Sequence, residues 1–160
     1  MLSKHTIVRN IIEHLGHELE TIAGASRAMH ADASDEQNKA EDKYDTRGLE
    51  TAYLASSQAR LATETEQALA AYQALELRKF RENTPIDLTA LVELELRGER
   101  TLYFLGPKRG GLEIHIKGTE VLVITPESPL AQQLIGKKAG DRIQLPTHGL
   151  ATEFRITAVS

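Results

Sequence analysis

Two long proline-free stretches set the terms for this chain. Leu2 to about Lys39 contains no proline, and neither does the stretch from about Gly48 to Arg81. In the first, Val8, Ile12, Leu15, Leu19, Ile22, Ser26 and Met29 succeed one another at steps of four and three. That is a heptad seam with one small polar interruption at Ser26, and Ser3 is placed to cap the helix it predicts. The second stretch is rich in Ala, Leu, Glu and Gln, which favour helix. Leu54, Leu61, Ala68, Tyr72 and Leu75 mark one face of it, widened by Ala62 and Leu69. Asn83-Thr84-Pro85 then stops the helix, because proline lacks the N–H and disfavours helical dihedrals in the residue before it.

At about 1.5 Å per residue each stretch would span roughly 50 Å. Neither has apolar surface all round, so the economical fold is an antiparallel coiled-coil hairpin in which each helix covers the other's stripe. Similar lengths put the bend near residues 40–48.

Charge concentrates at that bend. Residues 32–45 hold Asp32, Asp35, Glu36, Glu41, Asp42 and Asp45 against Lys39 and Lys43, which equals the formal charge of the whole chain, −4. A charge run of this kind ordinarily solvates a helical turn. Its other use follows from the hairpin: Glu41, Asp42 and Asp45 fall within one turn, close enough to share Mg²⁺. That ion takes one or two protein carboxylates, so the rest of its shell must come from another molecule.

Composition excludes several function classes. With no Cys there are no disulfides, thiolate metal sites or cysteine nucleophiles. Aromatic residues make up 4% and Trp is absent, a poor supply for stacking on bases or sugars, and the net negative charge disfavours indiscriminate nucleic-acid binding. No apolar run approaches the ~20 residues of a membrane span, and the start of the chain lacks the apolar stretch of a secretory signal. A cytoplasmic protein without membrane contact is expected.

After Pro85 the apolar period shortens toward two. Leu91–Leu96 alternates as a half-buried strand, Arg97–Arg100 reads as a turn, and Thr101–Leu105 as the next strand. Gly106–Gly111 is a loop; with Lys108 and Arg109 it has a phosphate-loop flavour, but no Gly-Lys-Ser/Thr ending follows, and a hairpin turn accounts for it better. Leu112–Ile116 and Val121–Thr125 are further strands. Ser128 and Pro129 form a helix start, Leu130–Ile135 a short helix, and Gly136 its left-handed close, followed by Lys137 and Lys138 near the helix end. Arg142–Leu145 and a strand carrying Phe154, Ile156 and Ala158 complete a small α+β domain of residues 84–160, after a hairpin of residues 1–83.

The stretch from Ile124 to Asp141, Ile-Thr-Pro-Glu-Ser-Pro-Leu-Ala-Gln-Gln-Leu-Ile-Gly-Lys-Lys-Ala-Gly-Asp, resembles the C-terminal motif of the Gre family of bacterial transcription elongation factors, GreA and GreB. Tyr103-Phe-Leu-Gly-Pro107 is similar to the strand end of that family, with spacing one residue different. The order of hairpin then β-rich domain is also the family's. The resemblance implies an FKBP-like, antiparallel second domain with one short helix, docking at the rim of the RNA polymerase secondary channel. It implies a hairpin threaded toward the polymerase active site, where tip acids help hold a Mg²⁺ belonging to the polymerase while backtracked RNA is hydrolysed. It further implies a DNA-binding, cytoplasmic factor that contacts nascent RNA only indirectly, acts as a monomer, has no intrinsic cofactor and is not itself an enzyme.

The tip is where the sequence departs. The family pattern Asp-x-x-Glu-Asn-Ala-Glu-Tyr faces Asp42-Lys-Tyr-Asp-Thr-Arg-Gly-Leu-Glu-Thr-Ala-Tyr53 here. Asp42 and Asp45 keep the i, i+3 spacing with a shorter second acid, and they are the first assignment for the acting and Mg²⁺-holding carboxylates; Glu41 and Glu50 come next. A Gre-like regulator that enters the channel without promoting cleavage is the alternative. An FKBP-like isomerase or chaperone would need an aromatic-lined pocket, for which the second half supplies Tyr103, Phe104 and Phe154. A plain helical adaptor would use the acids only for solubility. His14 and His17, at i, i+3, offer two metal ligands where a zinc site needs at least three.

Overall fold

In a computed structural model the chain is described over residues 2–34 and 47–160, with the side chains of residues 29–34, 47 and 51 left aside. Helix α1 covers Lys4–Ser34 and α2 Arg47–Gln73; strands β1 Leu91–Leu96, β2 Glu99–Leu105, β3 Glu113–Ile116 and β4 Thr119–Ile124 follow, then helix α3 Pro129–Leu134 and strands β5 Arg142–Thr147 and β6 Leu150–Val159. The described residues fall into two compact units, Met1–Ile11 with Ala71–Ser160, and Ile12–Ala70.

In the second unit the buried side chains come from both helices: Leu15 and Ile22 from α1, Thr65 and Ala68 from α2. The helix pair is therefore as expected, and of the face expected on α2 Ala68 and Tyr72 are buried, but Leu54 and Leu61 are not. Leu61 is 39% exposed and Leu54 50%, whereas Thr65 is fully buried. Its hydroxyl donates to the Leu61 carbonyl at 2.9 Å, which satisfies the polar atom and leaves the methyl to pack. Small residues, not the leucines, make the inner stripe of α2. Both α1's first turns and α2's last belong to the other unit, as an antiparallel hairpin requires.

Helix α2 stops at Gln73, earlier than Pro85 alone demands. The Leu75 N–H turns back to the Tyr72 carbonyl at 3.3 Å and the Ile86 N–H pairs with the Lys137 carbonyl at 2.8 Å. The Arg78 N–H donates to Thr89 Oγ1 at 3.0 Å. Phe80 and Ile86 meanwhile pack with the domain core. These tertiary contacts outweigh the helix preference of Ala74-Leu75-Glu76-Leu77.

The sheet has six strands in the order β3-β4-β2-β1-β6-β5. All six strands expected from the alternation are found, with β2 starting earlier than expected because Arg97 and Gly98 take φ of 52° and 85° and close a two-residue hairpin. One pairing departs from the antiparallel expectation: β2 and β4 run parallel, Leu102 opposite Val121 through Leu105 opposite Ile124. The cause is that β4 occupies the place beside β2 and puts β3 on its far side. Gly106–Gly111 is accordingly a crossover between non-neighbouring strands, not a hairpin turn. Between β1 and β6 the register slips at Glu93/Leu94, and the extra residue, Thr157, donates its hydroxyl to the Glu93 carboxylate at 2.7 Å, a bulge with its polar group satisfied. The core under the sheet gathers Ile86, Ala90, Val92, Leu94, Leu105, Ile124, Ala131, Leu134, Ile143 and Ile156.

Candidate functional site

Of the acids singled out, Glu41, Asp42 and Asp45 lie outside the described residues. Glu50 lies in the first turn of α2, where a carboxylate is favoured by the unpaired N–H groups of the helix start. Its surroundings were not legible as a pattern. Leu49 and Tyr53 are each 74% exposed and Leu54 50%, so Glu50 sits in an open depression with apolar sides.

His14 and His17 are exposed on α1. His17 Nδ1 lies 3.8 Å from Glu20, and among the described residues no third ligand joins them. Lys137 and Lys138 are exposed as expected for a solvated helix end.

The stretch from Ile124 to Asp141 folds as its residues dictate. Ser128 Oγ accepts the Ala131 N–H at 3.1 Å, Pro129 takes the first helical position, and Gly136 and Gly140 adopt φ of 86° and 93°. Gly136 N–H reaches the Ile86 carbonyl at 2.9 Å and Gly140 N–H the Ile156 carbonyl at 2.8 Å. Asp141 Oδ2 accepts the Lys138 N–H at 2.8 Å. Ser128, Pro129, Gly136, Gly140 and Asp141 of the motif therefore cap, turn or anchor the chain.

A scan of known families matches residues 86–160 to the transcription elongation factor GreA/GreB C-terminal model. Residues 86–160 belong to the GreA/GreB family. The fold neighbours of the whole chain include GreA factor homolog 1 of Thermus thermophilus, at 21% identity over 93% of this chain and 94% of that one with a TM-score of 0.38. The same factor of Thermus aquaticus matches at 22% identity over 92% of each chain, TM-score 0.40. A GreA/GreB factor of Nitrosomonas europaea matches at 22% over 74% of this chain and 95% of that one, TM-score 0.38. No curated protein matches.

The aromatic residues of the GreA/GreB domain are committed to packing. Phe104 is fully buried, and Tyr103 and Phe154 pack against the core. Burial pushes the Tyr103 phenol above its ordinary pKa, partly offset by a hydrogen bond with Thr101. A depression on the sheet of about 200 Å³ is lined by Leu2, Leu91, Glu93, Leu102, Thr119, Ala158 and Ser160, with no aromatic wall of the kind an apolar ligand site leans on. At the loop before β3, the Tyr72 hydroxyl donates to the Lys108 carbonyl at 2.7 Å. Lys4 Nζ meets the Arg78 carbonyl and stands 4.7 Å over the Phe80 ring, and burial followed by repulsion from Arg78 lowers its pKa. Neither anchor was apparent in the sequence.

Proposed function

We propose that this protein is a transcription elongation factor that binds RNA polymerase through residues 84–160, at the rim of the secondary channel, and presents the acids of residues 41–50 on the hairpin of residues 1–83. The observation that carries this reading is the match of residues 86–160 to the GreA/GreB domain. The helix pair that precedes it and the acids gathered between the two helices support it. Asp42 and Asp45, then Glu41 and Glu50, are the carboxylates assigned to act. Carboxylate oxygens are the ligands Mg²⁺ takes, and the ion is the polymerase's. The factor holds no cofactor of its own, is a monomer in the cytoplasm, meets nascent RNA only through the polymerase, and is no enzyme by itself. No helix among the described residues is long and apolar enough to cross a membrane.

A second reading, polymerase binding without stimulated cleavage, is favoured by Asp45 standing where the family pattern has Glu. One methylene less moves the carboxylate back by more than an ångström, and catalytic positioning tolerates about 1 Å poorly. Stalled elongation complexes decide between them. The expected result is that the purified protein binds core polymerase at low salt and shortens the transcript, and that Asp42→Ala with Asp45→Ala abolishes shortening while binding persists. Binding without shortening establishes the second reading, and absence of binding overturns both.

A further inference from the structure

The β3–β4 hairpin closes on Lys117 and Gly118, at φ of 49° and 80°, a turn whose twist suits the strands it joins. Its register puts His115 directly opposite Glu120. Ile114 and Ile116 are buried, as are Val121 and Val123. Alternation along each strand therefore sends Glu113, His115 and Glu120 together to the exposed side. One imidazole nitrogen and two carboxylate oxygens lie within 4.8 Å of one another, and His115 Nε2 is 3.0 Å from Glu120 Oε2.

A His–Glu pair alone would serve to guard an edge strand with charge, and β3 is at an edge. That role does not require Glu113. Its carboxylate is brought toward a second one, a repulsive arrangement that a cation turns into an attractive one. We propose that Glu113, His115 and Glu120 form a surface binding site for a divalent transition ion of the Zn²⁺ kind, with water completing the shell. Zinc accepts imidazole nitrogen and carboxylate oxygen at about 2.0–2.2 Å, and three such ligands leave a position open. Exposed side chains on a closed hairpin reach that geometry by rotating, without moving backbone. The imidazole selects against Mg²⁺ and Ca²⁺, which prefer oxygen alone. Bound there, the ion ties the four-residue strand β3 to β4.

Isothermal titration of the full chain with zinc chloride, in a buffer that does not chelate, tests the site. One saturable Zn²⁺ per chain is expected, bound at least about tenfold less tightly by His115→Ala and by Glu113→Gln, with magnesium chloride giving no comparable binding. His17→Ala, which removes the two-ligand pair on α1, should bind as the parent does. Because all three residues are exposed, circular dichroism of the metal-free variants should match the parent, and zinc should raise the melting temperature of the parent but not of His115→Ala. Unchanged zinc affinity in His115→Ala, loss of it in His17→Ala, or equal binding of magnesium overturns the assignment.

Discussion

The Tyr72 hydroxyl, on the last turn of α2, lies against Gly106, where a β-carbon would collide with it. The same hydroxyl donates to the Lys108 carbonyl at 2.7 Å, so the ring cannot swing away without giving up a hydrogen bond, and Tyr72 is 1% exposed. Gly106 is thus required by a close approach and not by its own backbone angles. Gly106→Ala should destabilise by about 1–3 kcal/mol, the range for overpacking, and Tyr72→Phe by about 1 kcal/mol for the lost bond. With the hydroxyl gone the worst clash is relieved, leaving the ring carbon at 3.1 Å and Val123 Cγ1 at 3.3 Å from the new methyl, so the double variant should be less destabilised than the two losses added. Urea unfolding of the four proteins measures this; strict additivity would mean the approach is not what constrains Gly106.

Alkaline conditions should act through the same ring. Burial raises the Tyr72 phenol far above its ordinary value, against the opposing effect of the Arg109 charge. The unfolded chain releases this proton near pH 10 while the folded chain keeps it, so folding stability is intact below pH ~10 and falls above it, by up to about 1.4 kcal/mol per pH unit. Denaturant midpoints across pH 8–11 should drop at the alkaline end, and Tyr72→Phe should flatten that drop. An identical slope in the variant would assign the effect to other groups.

Helix α3 depends on its cap. Ser128→Ala leaves the Ala131 N–H without its partner and should cost about 1 kcal/mol, while Ser128→Asp, which can still accept, should retain most of the stability. Thermal unfolding of the pair distinguishes a capping role from simple packing, since packing would make the larger aspartate the worse of the two.

The inner face of α2 can be mapped by substitution. Leu61→Gln should change stability by no more than about 0.5 kcal/mol because the position is exposed, whereas Ala68→Leu should lose about 1–3 kcal/mol by overfilling the helix contact. The reverse ranking would restore the leucine face that periodicity alone suggests.

Much of the fold could be read from residues because local rules and tertiary packing agree there. Ser128-Pro129 and Gly136 mark a helix start and stop with no help from elsewhere, and Leu91–Leu96 alternates because one side of β1 is covered. Where long-range contacts decide, the sequence was silent. Nothing in Ala74-Leu75-Glu76-Leu77 announces that a helix has ended; the reason lies in Thr89 and Lys137, which hold the following segment. Leu61 looks like a seam residue and Thr65 does not, because a hydroxyl that bonds its own helix is invisible to hydropathy. The parallel pairing of β2 with β4 depends on which strand takes the inner place, a choice no single strand encodes. Of the candidate site, the acids announced themselves by density of charge, but the apolar sides around Glu50 could be recognised only once the buried face of α2 was known.

Strand β6 lies between β1 and β5, and Val159 pairs with Val92 across the length of the domain. During synthesis, β1 through β4 can assemble only as a half-sheet with one side of β1 open to water and to other chains. The gap closes when residues 150–159 leave the ribosome, so a message cut short within that stretch would yield a sticky intermediate and not a slightly smaller domain.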